Sequence, residues 1–240
     1  MTERGMIFNG EMVRAILDGR KTQTRREVKL NLDIACLATT YDWATSLAAN
    51  HYQGLTEEQI QQKAESLRGV IHPVILGNGQ MVSIICPHGK PGDRIWVRET
   101  FCPVDDTQYG GEKWVDYRAT PKFEASHPAG WDCAPNDAEA LKWRPSIHMP
   151  RWASRILLEI TDVRVERLND ISEEDARAEG IIDGGCLNCG EPEPCGCAKP
   201  EPDATDAFAY LWQSIYGQEN WNANPWVWVI EFKRVEGGAA

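Results

Sequence analysis

The segment 226–235 sets the tightest limit on what this chain can fold into. In extended form it puts Trp226, Trp228, Ile230 and Phe232 on one side and Val227, Val229, Glu231 and Lys233 on the other. A strand that is apolar along one whole side must have core packed against it. Shorter strand-like runs occur at 6–8, 22–28, 81–85, 94–101, 114–119 and 155–166. Helical spacing marks 10–18, with Met12, Val13, Ile16 and Leu17 on one side, and 203–216. Ser172 is a candidate cap for a short acidic helix ending at Gly180. Thr56 and Gln59 have the spacing of a capping box before a polar helix ending near Arg68. The elements show no βαβ rhythm and no internal repeat, so the expected class is α+β with a small, strongly curved sheet. Ten tryptophans suggest base stacking, but aromatic residues at strand spacing belong more often to a core.

The longest apolar runs, such as 225–230, are about six residues, far short of the ~20 that span a bilayer, so no membrane association is expected. Residues 1–5 include Glu3 and Arg4 and no apolar run follows, so the expected location is cytoplasmic. The net charge of −11 opposes nucleic-acid binding only on average. Between Asp170 and Asp206 eleven acidic residues face only Arg177 and Lys199, which leaves the rest of the chain nearly neutral. Basic side chains gather at Arg14, Arg20, Lys21, Arg25, Arg26 and Lys29, and again at Lys142, Arg144, Arg151 and Arg155. A polyanion can dock locally on such stretches, and they read equally as solvated faces.

Four of eight cysteines fall within twelve residues: Cys186, Cys189, Cys195 and Cys197. The Cys-x2-Cys-x5-Cys-x-Cys spacing supplies four thiolates, enough for a closed tetrahedral zinc site with no open position. The expectation is a structural zinc ion and no catalytic cofactor. The surrounding segment, 183–202, is rich in Pro, Gly and Cys and reads as a loop inserted into the fold. The helical stretch within about 33–75 reads as a second insertion.

Gly19-Arg20-Lys21-Thr22 is not a phosphate loop, because Arg20 stands where Walker A requires Gly. With Gln23-Thr24-Arg25-Arg26 it shows Gly-x-Lys followed by Arg five residues after the Lys. This resembles the signature of the ASCH domain, a branch of the PUA-like superfamily. Pro91-Gly92-Asp93, Trp96-Val97-Arg98-Glu99 and Asn224-Pro225-Trp226-Val227-Trp228-Val229-Ile230 are similar to the longer phage and prophage members. The resemblance implies a single domain over 1–240: a small PUA-like β-barrel with flanking helices, carrying the insertions at about 33–75 and 183–202. The broad family pattern has Glu three residues after the Lys; here that place is Thr24. In this the chain resembles the small bacterial amidohydrolases that deacetylate N4-acetylcytidine, and the resemblance implies Lys21, Thr24 and Glu99 as the catalytic set.

The residue types suit amide hydrolysis, which needs a nucleophile, a base and an acid for the leaving nitrogen. Thr24 supplies a hydroxyl, a desolvated Lys21 a base, and Glu99 an acid. Ile95, Val97, Glu99 and Phe101 alternate on one strand face, which places a carboxylate on an apolar side where it needs a partner. Lys21, Arg26 and Arg98 are candidates for that partner, and the pair reads equally as a structural ion pair. Thr22, Thr24 and Arg26 share one strand face, so Lys21 and Thr24 converge only across a turn or bulge. Arg26, Arg98, His148, Arg151 and Trp152 are candidate substrate-binding residues: guanidinium groups for phosphate and base edges, and an aromatic plane beside them. The expected partner is a small nucleoside or single-stranded RNA or modified nucleic acid, either as substrate or as a base held without catalysis.

Overall fold

The computed structural model describes residues 1–30, 32–51, 56–105, 113–122, 142–182, 196–198 and 204–235. The chain is α+β, as its patterns indicated, and divides into two compact units. The first comprises Met1–Thr22, Arg94–Glu159 and Lys233–Ala240; the second comprises Gln23–Asp93 and Ile160–Phe232.

In the first unit β1 (Glu3–Ile7) runs parallel to β6 (Arg94–Arg98), which pairs antiparallel with the start of β9 (Leu157–Arg167). Gly5 is required in β1 because a Cβ there would lie 2.6 Å from the Trp96 ring. Helix α1 (Gly10–Leu17) begins at Asn9, whose side chain accepts the Met12 N–H at 2.8 Å, and buries Val13, Ala15 and Ile16. The 94–101 segment, expected as one strand, breaks after Arg98. A second strand, β7 (Phe101–Asp105), then forms a hairpin with β8 (Lys113–Tyr117). Phe101, Met149 and Ala153 form an apolar cluster beside that hairpin.

In the second unit β10 (Trp226–Val235) pairs antiparallel with β2 (Gln23–Glu27), placing Trp228 opposite Arg26 and Ile230 opposite Thr24. Val227 and Val229 pack with Phe208 and Trp212 of α5 (Ala204–Tyr216), while Trp228 and Ile230 are buried on the opposite side. The strand is therefore covered on both faces, which accounts for its apolar content. Ser172 caps α4 (Glu173–Ala178), accepting the Asp175 N–H at 3.1 Å. A short helix, α6 (Gln218–Asn222), follows Gly217, whose φ of +87° favours glycine.

The 33–75 segment corrects the purely helical expectation. It holds α2 (Thr40–His51) and α3 (Glu57–Leu67), the latter with the capping box intact. It also holds β3 (Ile34–Leu37) and β4 (His72–Leu76), which pair antiparallel, and β4 pairs onward with β5 (Met81–Ile84). Ile34, His72, Pro73, Val74 and Ile84 are the buried residues of this sheet. Its strands of four or five residues are too short to show a period, and Pro73 argues locally against one; pairing across the sheet overrides both. Among the described residues no strand pairing closes a barrel. No described helix is long and apolar enough to cross a membrane.

Candidate functional site

Glu99 follows directly on β6, and the alternation that places it among apolar residues holds: Ile95, Val97, Glu99 and Phe101 are all 1% exposed or less. Its N–H donates to Met149 Sδ at 3.3 Å. Its carboxylate accepts two parallel bonds from one guanidinium, Arg155 Nε at 2.9 Å and Arg155 Nη2 at 3.0 Å. Arg155 Nη1 donates to Thr120 Oγ1 at 2.8 Å, and the guanidinium lies 3.9 Å from the Tyr117 ring centroid. The Tyr117 hydroxyl donates to the Ala153 carbonyl at 2.9 Å, which fixes the ring under the cation. A planar fork over an aromatic face holds a carboxylate in one orientation, a task a lysine ammonium does not perform.

Burial lifts the Glu99 carboxyl above its ordinary value, against the pull of the Arg155 guanidinium. Desolvation outweighs a bidentate charge partner here because one cation faces one nearly inaccessible carboxylate. The same desolvation raises the Tyr117 phenol.

The guanidinium on Glu99 is Arg155's, a partner that the candidates Lys21, Arg26 and Arg98 did not include. Arg98 turns to the Ile147 carbonyl and sits 5.3 Å from the Trp96 ring. Arg26 lies on β2, in the second unit. One signal in the sequence pointed to Arg155. It is a lone cation between Ala153 and Ile156, both buried, at the start of an apolar strand, where an unpaired charge is costly.

Lys21 is 2% exposed and closes the first unit's opening segment, its N–H donating to the Ala15 carbonyl at 3.0 Å beyond the end of α1. Thr24 is 1% exposed and belongs to the second unit, on the face of β2 that also carries Arg26. His148 is exposed on the 3-10 turn Ser146–His148. Arg151, on the next turn, pairs with Glu3 at 3.0 Å, and Trp152 is 67% exposed. Of this stretch it is Met149, between them, that reaches Glu99. Cys186, Cys189 and Cys195 lie outside the described residues, and Cys197 is half-buried. Among the described residues no cluster of His, Cys, Asp and Glu is arranged to hold a metal ion.

Sequence reasoning missed a second ionic cluster, contained in the second unit and built around the inaccessible Arg25. Arg25 reaches Asp175 at 2.9 Å, Glu166 at 3.2 Å and Glu179 at 3.4 Å. Arg164 reaches Asp175 at 3.0 Å and pairs with Glu166 and Glu231. Gln23 Nε2 donates to the Asp175 carbonyl at 2.7 Å. These bonds join β2, β9, β10 and α4. Desolvation raises the Asp175 carboxyl, but Arg25 and Arg164 overcome it and hold the group below its ordinary value. Asp175 is thereby held in its ionised form, and the cluster has the character of a structural lock.

Comparison with protein-family models, with curated proteins and with solved structures finds no match to this chain.

Proposed function

We propose that this protein recognises a modified nucleobase or nucleoside and hydrolyses an N4-acyl amide of cytidine, within a PUA-like, ASCH-type fold. The observation that carries the reading is Glu99: a buried carboxyl with a raised pKa, held in one orientation by Arg155. A carboxyl that keeps its proton closer to neutrality is suited to protonate a leaving amine. Lys21, buried in the same unit, is the proposed base. Thr24 is the proposed nucleophile: its Oγ bonds to the acyl carbon as its proton passes to Lys21. The C–N bond then breaks as Glu99 protonates the departing cytosine N4, and water releases the acyl group from Thr24. No metal takes part in these steps. A structural zinc ion on Cys186, Cys189, Cys195 and Cys197 is proposed from their spacing alone. Metal analysis of purified protein tests it: about one zinc per chain, lost with Cys189→Ser, is the expected result, and none overturns it.

The activity test is release of cytidine from N4-acetylcytidine by the wild type and by Lys21→Ala, Thr24→Ala and Glu99→Gln. Each variant is expected to lose at least about 100-fold in kcat/KM while keeping its fold. Because Glu99 acts protonated, wild-type activity falls as pH rises through its raised pKa, and Glu99→Gln removes that alkaline limb. No turnover by the wild type, or full activity in Glu99→Gln, overturns the reading.

A second reading rests on a different observation: Trp152, Ile147 and His148 are exposed close in sequence to Lys142 and Arg144. An aromatic side chain among cations is the composition of a single-stranded RNA surface. Binding of oligonucleotides that falls steeply with salt and is lost in Trp152→Ala, with no turnover, supports this reading over the first.

A further inference from the structure

The second unit contains a cavity of about 230 Å³ bordered by the end of α3, the starts of α2 and β4, and the middle of β9. Helix α3 passes the chain through Arg68 to Gly69, whose φ of +69° favours glycine. A Cβ on Gly69 would lie 2.9 Å from the Pro91 ring and 3.3 Å from Asp162 Oδ1, so this turn admits the Asp162 carboxylate close to the backbone beside Arg68. Arg68 is exposed and Asp162 half-buried, and neither side chain makes a hydrogen bond or ion pair among the described residues. Opposite charges therefore line one small cavity without neutralising each other. Thr40 adds a hydroxyl, while Leu37, 41% exposed, and the half-buried Ile71 add apolar surface that a ligand can reach. His72, in the same wall, is 9% exposed, and its Nε2 has no hydrogen-bond partner among the described residues. Burial lowers its pKa to about 4, so it brings no charge at neutral pH. Arg164 also lines the cavity but is already paired with Glu166, Asp175 and Glu231.

Each part of this lining narrows the ligand. Pockets for drug-sized molecules run from roughly 300 to 1,000 Å³, so this cavity suits something smaller and has no room for a nucleotide. A simple anion that pairs with Arg68 is repelled by Asp162, and a simple cation meets the reverse. A neutral molecule leaves both charges without a partner. A zwitterion answers both, and a carboxylate matches the planar fork of a guanidinium while an ammonium donates to a carboxylate. Leu37 and Ile71 call for an aliphatic group on the same molecule, since covering them removes apolar surface from water.

We propose that this cavity is a binding site for a free aliphatic α-amino acid, with its carboxylate on Arg68, its ammonium on Asp162 and its side chain against Leu37 and Ile71. The site contains none of Lys21, Thr24 and Glu99, and it does not rest on amide hydrolysis: binding is read without turnover. Calorimetric titration of the full chain with L-leucine and L-valine tests it. The comparison ligands are 4-methylpentanoate, which is leucine without the ammonium, and 3-methylbutylamine, which is leucine without the carboxylate. The expected result is saturable binding of at least one amino acid, at least about tenfold tighter than either comparison ligand. Arg68→Gln, a change at an exposed position, weakens that binding by about tenfold or more, and Asp162→Asn, which keeps the side chain's shape, does the same. Glycine, which leaves Leu37 and Ile71 uncovered, binds more weakly than leucine. No saturable binding of either amino acid overturns the proposal. So does affinity for 4-methylpentanoate or 3-methylbutylamine equal to that for leucine, which marks a site that reads one charge only, or wild-type affinity in Arg68→Gln.

Discussion

Glu99 in the first unit and Asp175 in the second are both carboxylates withdrawn from water and held by arginine, and they titrate in opposite directions. At Glu99 one guanidinium opposes desolvation and desolvation prevails. At Asp175 two guanidinium groups, Arg25 and Arg164, oppose a weaker desolvation and the charges prevail. Exposure sets part of the difference: the Glu99 side chain is 2% accessible and that of Asp175 is 22%. A buried Arg–carboxylate pair is therefore not one kind of object. Its protonation behaviour depends on how many cations face the carboxylate and how much water remains, and the two outcomes suit chemistry and architecture respectively.

The sharpest test of the architectural half is Arg25→Ala. Its side chain is inaccessible and faces three carboxylates, of which Glu179 is itself nearly inaccessible while Asp175 and Glu166 keep Arg164; its removal takes away the one cation at the centre of the cluster and is expected to cost about 3 kcal/mol. Urea denaturation reads this as a lower midpoint at unchanged slope. A loss below about 1 kcal/mol breaks the comparison by showing that the cluster locks nothing.

His72 adds a titratable group at which burial also prevails, lowering its pKa from 6.5 to about 4 with only Asp162 opposing. The unfolded chain binds the proton first. The stabilisation is therefore complete above pH 6.5, is lost progressively as pH falls towards 4, and amounts to roughly 3 kcal/mol at most. Urea midpoints between pH 4 and 7 for the wild type and His72→Phe check this; the variant's profile is expected to be flatter, and coincident profiles contradict it.

The smallest expected effects separate the two carboxylates directly. Asp175→Asn removes a charge that two cations stabilise and should cost about 2 kcal/mol. Glu99→Gln removes a charge whose ionised form burial already disfavours and keeps one oxygen for Arg155, which still stacks on Tyr117, but sets its NH2 against the other Arg155 N–H; its cost should stay within about 2 kcal/mol. Activity should separate the variants, with Glu99→Gln the inactive one. If Glu99→Gln unfolds the protein as readily as Arg25→Ala, Glu99 belongs with the structural clusters.

What could be read from the sequence was local. Asn9, Ser172 and the Thr56–Gln59 box act within three residues, so one short window contains both partners. The alternation of β10, and of Ile95, Val97, Glu99 and Phe101, is a backbone period, and it correctly marked Glu99 as buried. The partner of Glu99 stayed hidden because Arg155 is 56 residues away, among several arginines equal on composition. The Arg25–Asp175 contact spans 150 residues, and no periodicity in either segment refers to the other. The β3–β4–β5 sheet stayed hidden because strands of four or five residues take their stability from neighbours rather than from propensity.

By itself, then, the sequence determined which side chains leave water: the period of a strand and the cap of a helix follow from backbone geometry and nearest neighbours. Only the tertiary structure decided what each buried charge meets, and hence whether burial or countercharge governs its proton. That outcome depends on distances between segments far apart in the chain, where a change of a few ångströms in a poorly solvated interior outweighs any local preference.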